Sequence, residues 1–171
     1  MPILVLDIES TLVDDWFNFN VLQENVDAIK AYISKRNFEN SYFFTYAFWN
    51  RYEVKGSHKL KELADIIGIE SLATYENVFT KTDVLHFDTF KAVPKYALEI
   101  ELMFNERYPT KQYAFIQMVL SMQQLNLMKG TRQHLDISFI DDTNKEVTVE
   151  YHCDDFKVKF ETLESIKGDK Q

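Results

Sequence analysis

Two apolar runs in this chain each end in carboxylates, Ile3-Leu4-Val5-Leu6-Asp7-Ile8-Glu9-Ser10-Thr11 near the start and Ile137-Ser138-Phe139-Ile140-Asp141-Asp142 near the end. A short apolar run closed by polar residues suits a strand buried on both faces of a parallel sheet. If two such strands are parallel neighbours, their carboxylates meet at one sheet edge, which is where ligands bind in open α/β sheets. Clustered carboxylates repel one another unless a cation sits among them. The pair therefore predicts a divalent, oxygen-ligated metal, most naturally Mg²⁺. Asp-x-Glu-x-Thr alone is a weak signal, and the two motifs in this order with β/α units between them are a stronger one.

The residues between the runs alternate in period. Leu22, Val26, Ile29 and Ile33 fall on one face of a helix over 22–36. Tyr42 to Trp49 is an aromatic-rich strand, Lys59 to Ile67 a helix stopped by Gly68, and Tyr75 to Thr80 a third strand. Pro109 divides two helices, Tyr96 to Tyr108 and Gln112 to Leu127. After them come the strand Leu135 to Ile140, strand-like stretches over 147–152 and 156–160, and a polar tail from Glu164. This rhythm predicts an α/β fold, a doubly wound and mostly parallel sheet with helices on both faces. The expected organisation is one domain over 1–165, with 166–171 as a polar tail.

Composition narrows the function. A chain of 171 residues with 46% hydrophobic content is one domain's worth and can bury a full core. Its formal net charge of −8 argues against a dedicated nucleic-acid coat or a polybasic membrane surface. A nucleic-acid partner is thus not indicated by charge, although a local basic patch is compatible with it. The single cysteine, Cys153, allows no internal disulfide and suits a reducing compartment. No apolar segment approaches membrane-spanning length and the start lacks a cleavable leader, so a cytoplasmic protein is expected. With 4 Gly and 3 Pro there is neither a P-loop nor a dinucleotide fingerprint. Phosphate chemistry must then use side chains and a metal. His58, His86, His134 and His152 show no metal-ligand spacing with Cys153, which disfavours zinc.

The motif set resembles the haloacid dehalogenase-like (HAD) superfamily of phosphotransferases over roughly residues 3–145. That family's Asp-x-Asp-x-Thr motif reads here Asp7-Ile8-Glu9-Ser10-Thr11-Leu12; its Thr or Ser ending the second strand is matched by Thr45, and its late acidic pair by Asp141-Asp142. The family lysine is best matched by Lys111, with Lys81, Lys91 and Lys95 as rivals. The resemblance implies that Asp7 is a nucleophile forming an aspartyl-phosphate. It implies Mg²⁺ held by Asp7, the Glu9 backbone carbonyl and the terminal pair, with Asp142 the direct ligand and Asp141 behind it. Thr45 and Lys111 would hold phosphoryl oxygens, and Thr11 would brace the loop. Glu9 departs from the family pattern, standing where an Asp usually protonates the leaving group. Its extra methylene matters because a misplacement of about 1 Å can cost ~10²-fold in rate.

The gap between Leu12 and Leu22 holds only a short flap with Asp14, Asp15, Trp16 and Phe17, and the stretch from Val84 to Pro109 has room for a helix. A large cap is therefore not expected. The open site resembles family members acting on macromolecular phosphates, so the expected partner is a phosphorylated substrate, small or large. Two other readings stand beside this one. A catalytically degenerate HAD domain would bind or inhibit without turnover. A DEDD-type 3′–5′ exonuclease matches Asp7, Glu9 and Thr11 literally, but begins with an antiparallel meander and needs further acidic motifs.

Overall fold

The computed structural model describes residues 1–87, 97–131, 133–150 and 156–168. Contacts gather the chain into two compact units, Met1–Lys81 with Gln133–Gln171, and Thr82–Arg132. The first unit is an α/β structure on a six-stranded sheet in the order β3-β2-β1-β4-β6-β5. Its strands are β1 (Pro2–Leu6), β2 (Asn40–Phe44), β3 (Val78–Phe79), β4 (Leu135–Ile140), β5 (Val147–Glu150) and β6 (Phe156–Glu161). All neighbours pair in parallel except β5, which runs antiparallel to β6 at the sheet edge.

Register sets out what each face carries. Leu6 lies level with Phe43 on one side and Ile140 on the other, and Ile140 lies level with Glu161. Because side chains alternate along a strand, Leu4, Leu6, Phe43 and Ile140 share one face. There they join Val26, Ile29 and Tyr32 of α1 (Gln23–Ser34), Leu60, Leu63 and Ile67 of α2 (His58–Ile67), and Ile166 of α6 (Leu163–Gly168) in one buried cluster. The opposite face carries Ile3, Val5, Phe44, Ile137, Phe139, Val158 and Phe160, all buried. Both faces being apolar explains why β1 reads as a continuous hydrophobic run, whereas β4 alternates with Asp136 and Ser138 until it reaches the apolar pair Phe139-Ile140.

Helix ends follow local chemistry. Gly68 takes φ 84° after α2, a left-handed conformation that costs glycine little, and its N–H returns to Ala64. In the second unit, α4 (Ala97–Arg107) and α5 (Lys111–Met128) flank Pro109, and Thr110 caps α5 by accepting from the Tyr113 N–H at 3.0 Å. The short α3 (Lys81–Phe87) follows β3 after one residue.

Three local expectations change. The aromatic stretch 42–49 is strand only to Phe44, because the Ala47 N–H turns back to Thr45 Oγ1 at 3.1 Å and a capping box at Asn50 starts a 3₁₀ turn over Arg51–Val54. The third strand shrinks to Val78–Phe79, since Thr74 caps a 3₁₀ turn at Tyr75–Asn77. Finally, the residues from Glu164, expected as a polar tail, form α6 up to Gly168, because Ile166 is buried to 1% exposure in the core cluster. The stretch 151–152, expected to continue β5, and the lysines Lys91 and Lys95 lie outside the described residues, as do His152 and Cys153.

Candidate metal centre at the carboxyl edge of the sheet

The chain runs from β1 outward through β2 to β3, then crosses to place β4 on the other side of β1. The order of strands thus reverses between β1 and β4, and the carboxyl ends flanking that switch point form the crevice where open α/β sheets receive ligands. Asp7 is the first residue after β1 and Asp141 the first after β4. The Asp7 N–H extends the ladder to the Ile140 carbonyl at 3.0 Å, which places the two acids side by side. Asp7, Asp141 and Asp142 each offer a carboxylate oxygen, and these oxygens lie within 4.8 Å of one another. Asp7 (4% exposed) and Asp141 are buried, whereas Asp142 is exposed.

Thr11 ties the two motifs together. Its hydroxyl donates to Asp7 Oδ2 at 2.9 Å and accepts from the Asp142 N–H at 3.1 Å, across 131 residues of sequence. Asp141 is fixed from behind, as Oδ1 accepts from the Thr143 N–H at 2.8 Å and the Thr143 hydroxyl at 2.6 Å. The buried Asn144 amide donates to the carbonyls of Phe139 and Glu161 at 2.8 and 3.0 Å, pinning the turn beyond β4.

Between β1 and α1 the chain makes one tight turn and a hairpin. The Leu12 N–H returns to Ile8 at 2.9 Å, Ser10 adopts φ 63°, and Val13 bridges Val21 in antiparallel fashion. The hairpin is closed by Asp14, whose carboxylate accepts from Asn20 Nδ2 and from the N–H groups of Asp15 and Asn20. The Asn20 side-chain bond, followed by those backbone bonds, holds the Asp14 carboxyl below its ordinary value. Asp14 and Asp15 therefore serve the loop, and neither joins the acidic group. Trp16 packs edge-on against Phe19 and Phe48, while Phe17 stands exposed at the tip. Glu9 Oε2 accepts from the Trp16 N–H at 2.8 Å, so this carboxylate is positioned by the flap.

Thr45 follows β2 directly, is fully buried, and its N–H continues the ladder to Phe79 at 3.0 Å. Its bond from Ala47 uses a lone pair, so the hydroxyl remains a donor. Lys81 follows β3 by two residues, and its ammonium lies 4.8 and 4.9 Å from the ring centres of Tyr46 and Trp49, the residues just past Thr45. Asp7, Thr45, Asp141 and Lys81 thus stand at the carboxyl ends of four adjacent strands. Lys111 is the first residue of α5, in the second compact unit.

Comparison with family models, curated proteins and solved structures returns no match.

The chemistry of the donor set can still be judged. The group is made of hard carboxylate oxygens, with no histidine or cysteine in it among the described residues, which suits a hard divalent cation and not a thiophilic one. Sequence reading missed Lys59, whose ammonium donates to the Trp16 carbonyl at 2.7 Å and tethers the flap to the start of α2. Nothing along the chain signals a contact across 43 residues. Thr143 and Asn144 were legible only as turn formers after an acidic pair. No helix among the described residues is long and apolar enough to cross a membrane.

Proposed function

We propose that the protein is a Mg²⁺-dependent phosphohydrolase of HAD-like, doubly wound architecture, acting through an aspartyl-phosphate. The observation that carries this reading is the juxtaposition of Asp7, Asp141 and Asp142 within 4.8 Å at the β1/β4 switch point. Asp7, Asp142 and the Glu9 backbone carbonyl would hold the cation, with Asp141 supporting them. The bound cation would offset the acids' charge and that of the phosphoryl group.

In this mechanism a carboxylate oxygen of Asp7 attacks phosphorus while the bond to the leaving oxygen breaks. Glu9 delivers a proton to that oxygen. Its carboxylate then takes a proton from water, which attacks the acyl phosphate, releases inorganic phosphate and restores Asp7. The Thr45 hydroxyl donates to a phosphoryl oxygen. Lys81 replaces Lys111 as the preferred neutralising cation, because it leaves the strand next to β2 at the same edge. The substrate class that fits this reading is a phosphate monoester, small or carried on a macromolecule.

Glu9 supplies the second reading, a domain that binds phosphate without turnover, since its carboxylate is already engaged by Trp16. An exonuclease reading is less favoured, because β1 and β2 are parallel with α1 between them. The test is Mg²⁺-dependent phosphate release from aryl phosphates and 5′- and 3′-phosphorylated oligonucleotides. Release that disappears in Asp7→Asn, with the melting transition kept, is the expected result. Release unchanged in that variant removes Asp7 from the nucleophile's role.

A further inference from the structure

At the amino ends of the strands, on the face that carries Leu4 and Leu6, the apolar core gives way to polar residues. Register sets the rows: Leu4 lies level with Ser138 and Ser138 with Lys159; one row out, Pro2 lies level with Asp136 and Asp136 with Lys157. The end of α1 and the residues that follow it overhang these rows with Tyr32 and Arg36. Between them is a cavity of about 390 Å³, a size within the range of small-molecule sites. Among the described residues, three of its lining side chains, Arg36, Lys157 and Lys159, are cationic and one, Asp136, is acidic. Such a concentration of positive charge stands out in a chain of net charge −8.

The lining is held in place. The Arg36 guanidinium stacks 3.5 Å from the Tyr32 ring centre and donates to the Tyr32 carbonyl at 2.9 Å. Phe38 stacks against the same ring at 6.3 Å and forms an aromatic wall of the cavity. Lys159 pairs at 2.9 Å with Glu161, which lies a row deeper, is buried, and is held by Tyr32 and Ser165. Glu150, level with Lys157 on β5, does not line the cavity. Arg36 and Lys159, each held by its neighbours, stand with Lys157 around one opening and form an oxyanion receptor, because charge-assisted bonds are gained there with little ordering of the held side chains on binding.

We propose that this cavity is a second ligand site, binding a small organic oxyanion whose phosphate or carboxylate meets Arg36, Lys157 and Lys159 while an apolar or aromatic part rests on Phe38. The site is distinct from the acidic centre. Pro2 and Asp7 are five residues apart on an extended strand, so the two sites are separated by about 16 Å along β1.

The experiment is titration calorimetry of the full chain with inorganic phosphate, citrate and adenosine monophosphate, without divalent cations, so that the acidic centre repels these anions. Saturable one-to-one binding is expected, with the arms separating a bare phosphate, a carboxylate and an aromatic phosphate. Affinity should fall on the order of tenfold or more in Lys157→Glu and in Arg36→Gln, and persist in Asp7→Asn. Lys157→Glu leaves the Lys159–Glu161 pair intact, and a thermal melt verifies its fold. No binding of any probe to the wild type, or equal affinity in the folded Lys157→Glu variant, overturns the site. Phosphatase turnover, present or absent, does not enter the result.

Discussion

Thr11 makes the acidic centre a single hydrogen-bonded unit. One hydroxyl serves both motifs, donating to Asp7 and accepting from the Asp142 backbone. Thr11→Val keeps the shape and deletes both bonds, and a buried bond to a charged group contributes about 1.5–3 kcal/mol. The variant should therefore melt lower than the wild type and bind Mg²⁺ more weakly in calorimetric titration; equal values in both measurements would leave Thr11 a packing residue. Glu9 decides between turnover and binding. Glu9→Gln should lower turnover by on the order of 10²–10⁴ and let phosphoenzyme accumulate, while Glu9→Asp should keep or raise the rate. Rapid-quench trapping tests this directly. Phosphoenzyme absent from all three forms, across several substrates, would favour the binding reading.

Strand ends, rather than helices, assemble the centre. Asp7 and Asp141 immediately follow adjacent strands, and each is aligned by a ladder that fixes register over the whole of β1. The same logic separates the two lysines. Lys81 leaves the β3 end and stacks over Tyr46 and Trp49, whereas Lys111 opens a helix of the other unit. Lys81→Met should lower kcat by at least ~10²-fold, the scale expected for one lost electrostatic donor to a developing charge, and by more than Lys111→Met does. Steady-state kinetics with an aryl phosphate distinguish them, and the reverse ranking would return the role to Lys111. The flap is the other decisive element, since Glu9 accepts from the Trp16 N–H and Lys59 donates to the carbonyls of Trp16 and Phe17.

At the scale of the molecule, the titrating groups with raised pKa values share one sign. Burial, chiefly, pushes the Tyr32 hydroxyl above the ordinary 10.0, and burial does the same at Tyr42. The hydrogen bond to Glu161 lifts Lys159 above 10.5. In each case the folded chain holds its proton more tightly than the unfolded chain. Their contribution to stability is thus fully present below pH 10.0 and is lost as pH rises through the higher folded values. Denaturant melts should show stability falling above about pH 10, and Tyr32→Phe should flatten that fall. An unchanged slope in the variant would mean that Tyr32 titrates alike in both states.

Local chemistry in the sequence determined much of this. The apolar run 3–6 reads as a strand buried on both faces and 137–140 as a second strand, Gly68 and Pro109 punctuate helices by their own backbone limits, and an acid after each run marked the strand ends. That Asp7 and Asp141 are neighbours, however, depends on a crossover that pairs β1 with β4 across more than a hundred residues, and only the folded sheet decides it. The same holds for Lys59 reaching the flap, for Ile166 turning a polar tail into a packed helix, and for the cluster of Arg36, Lys157 and Lys159. Periodicity reports which face of an element is buried but carries no information about which elements meet.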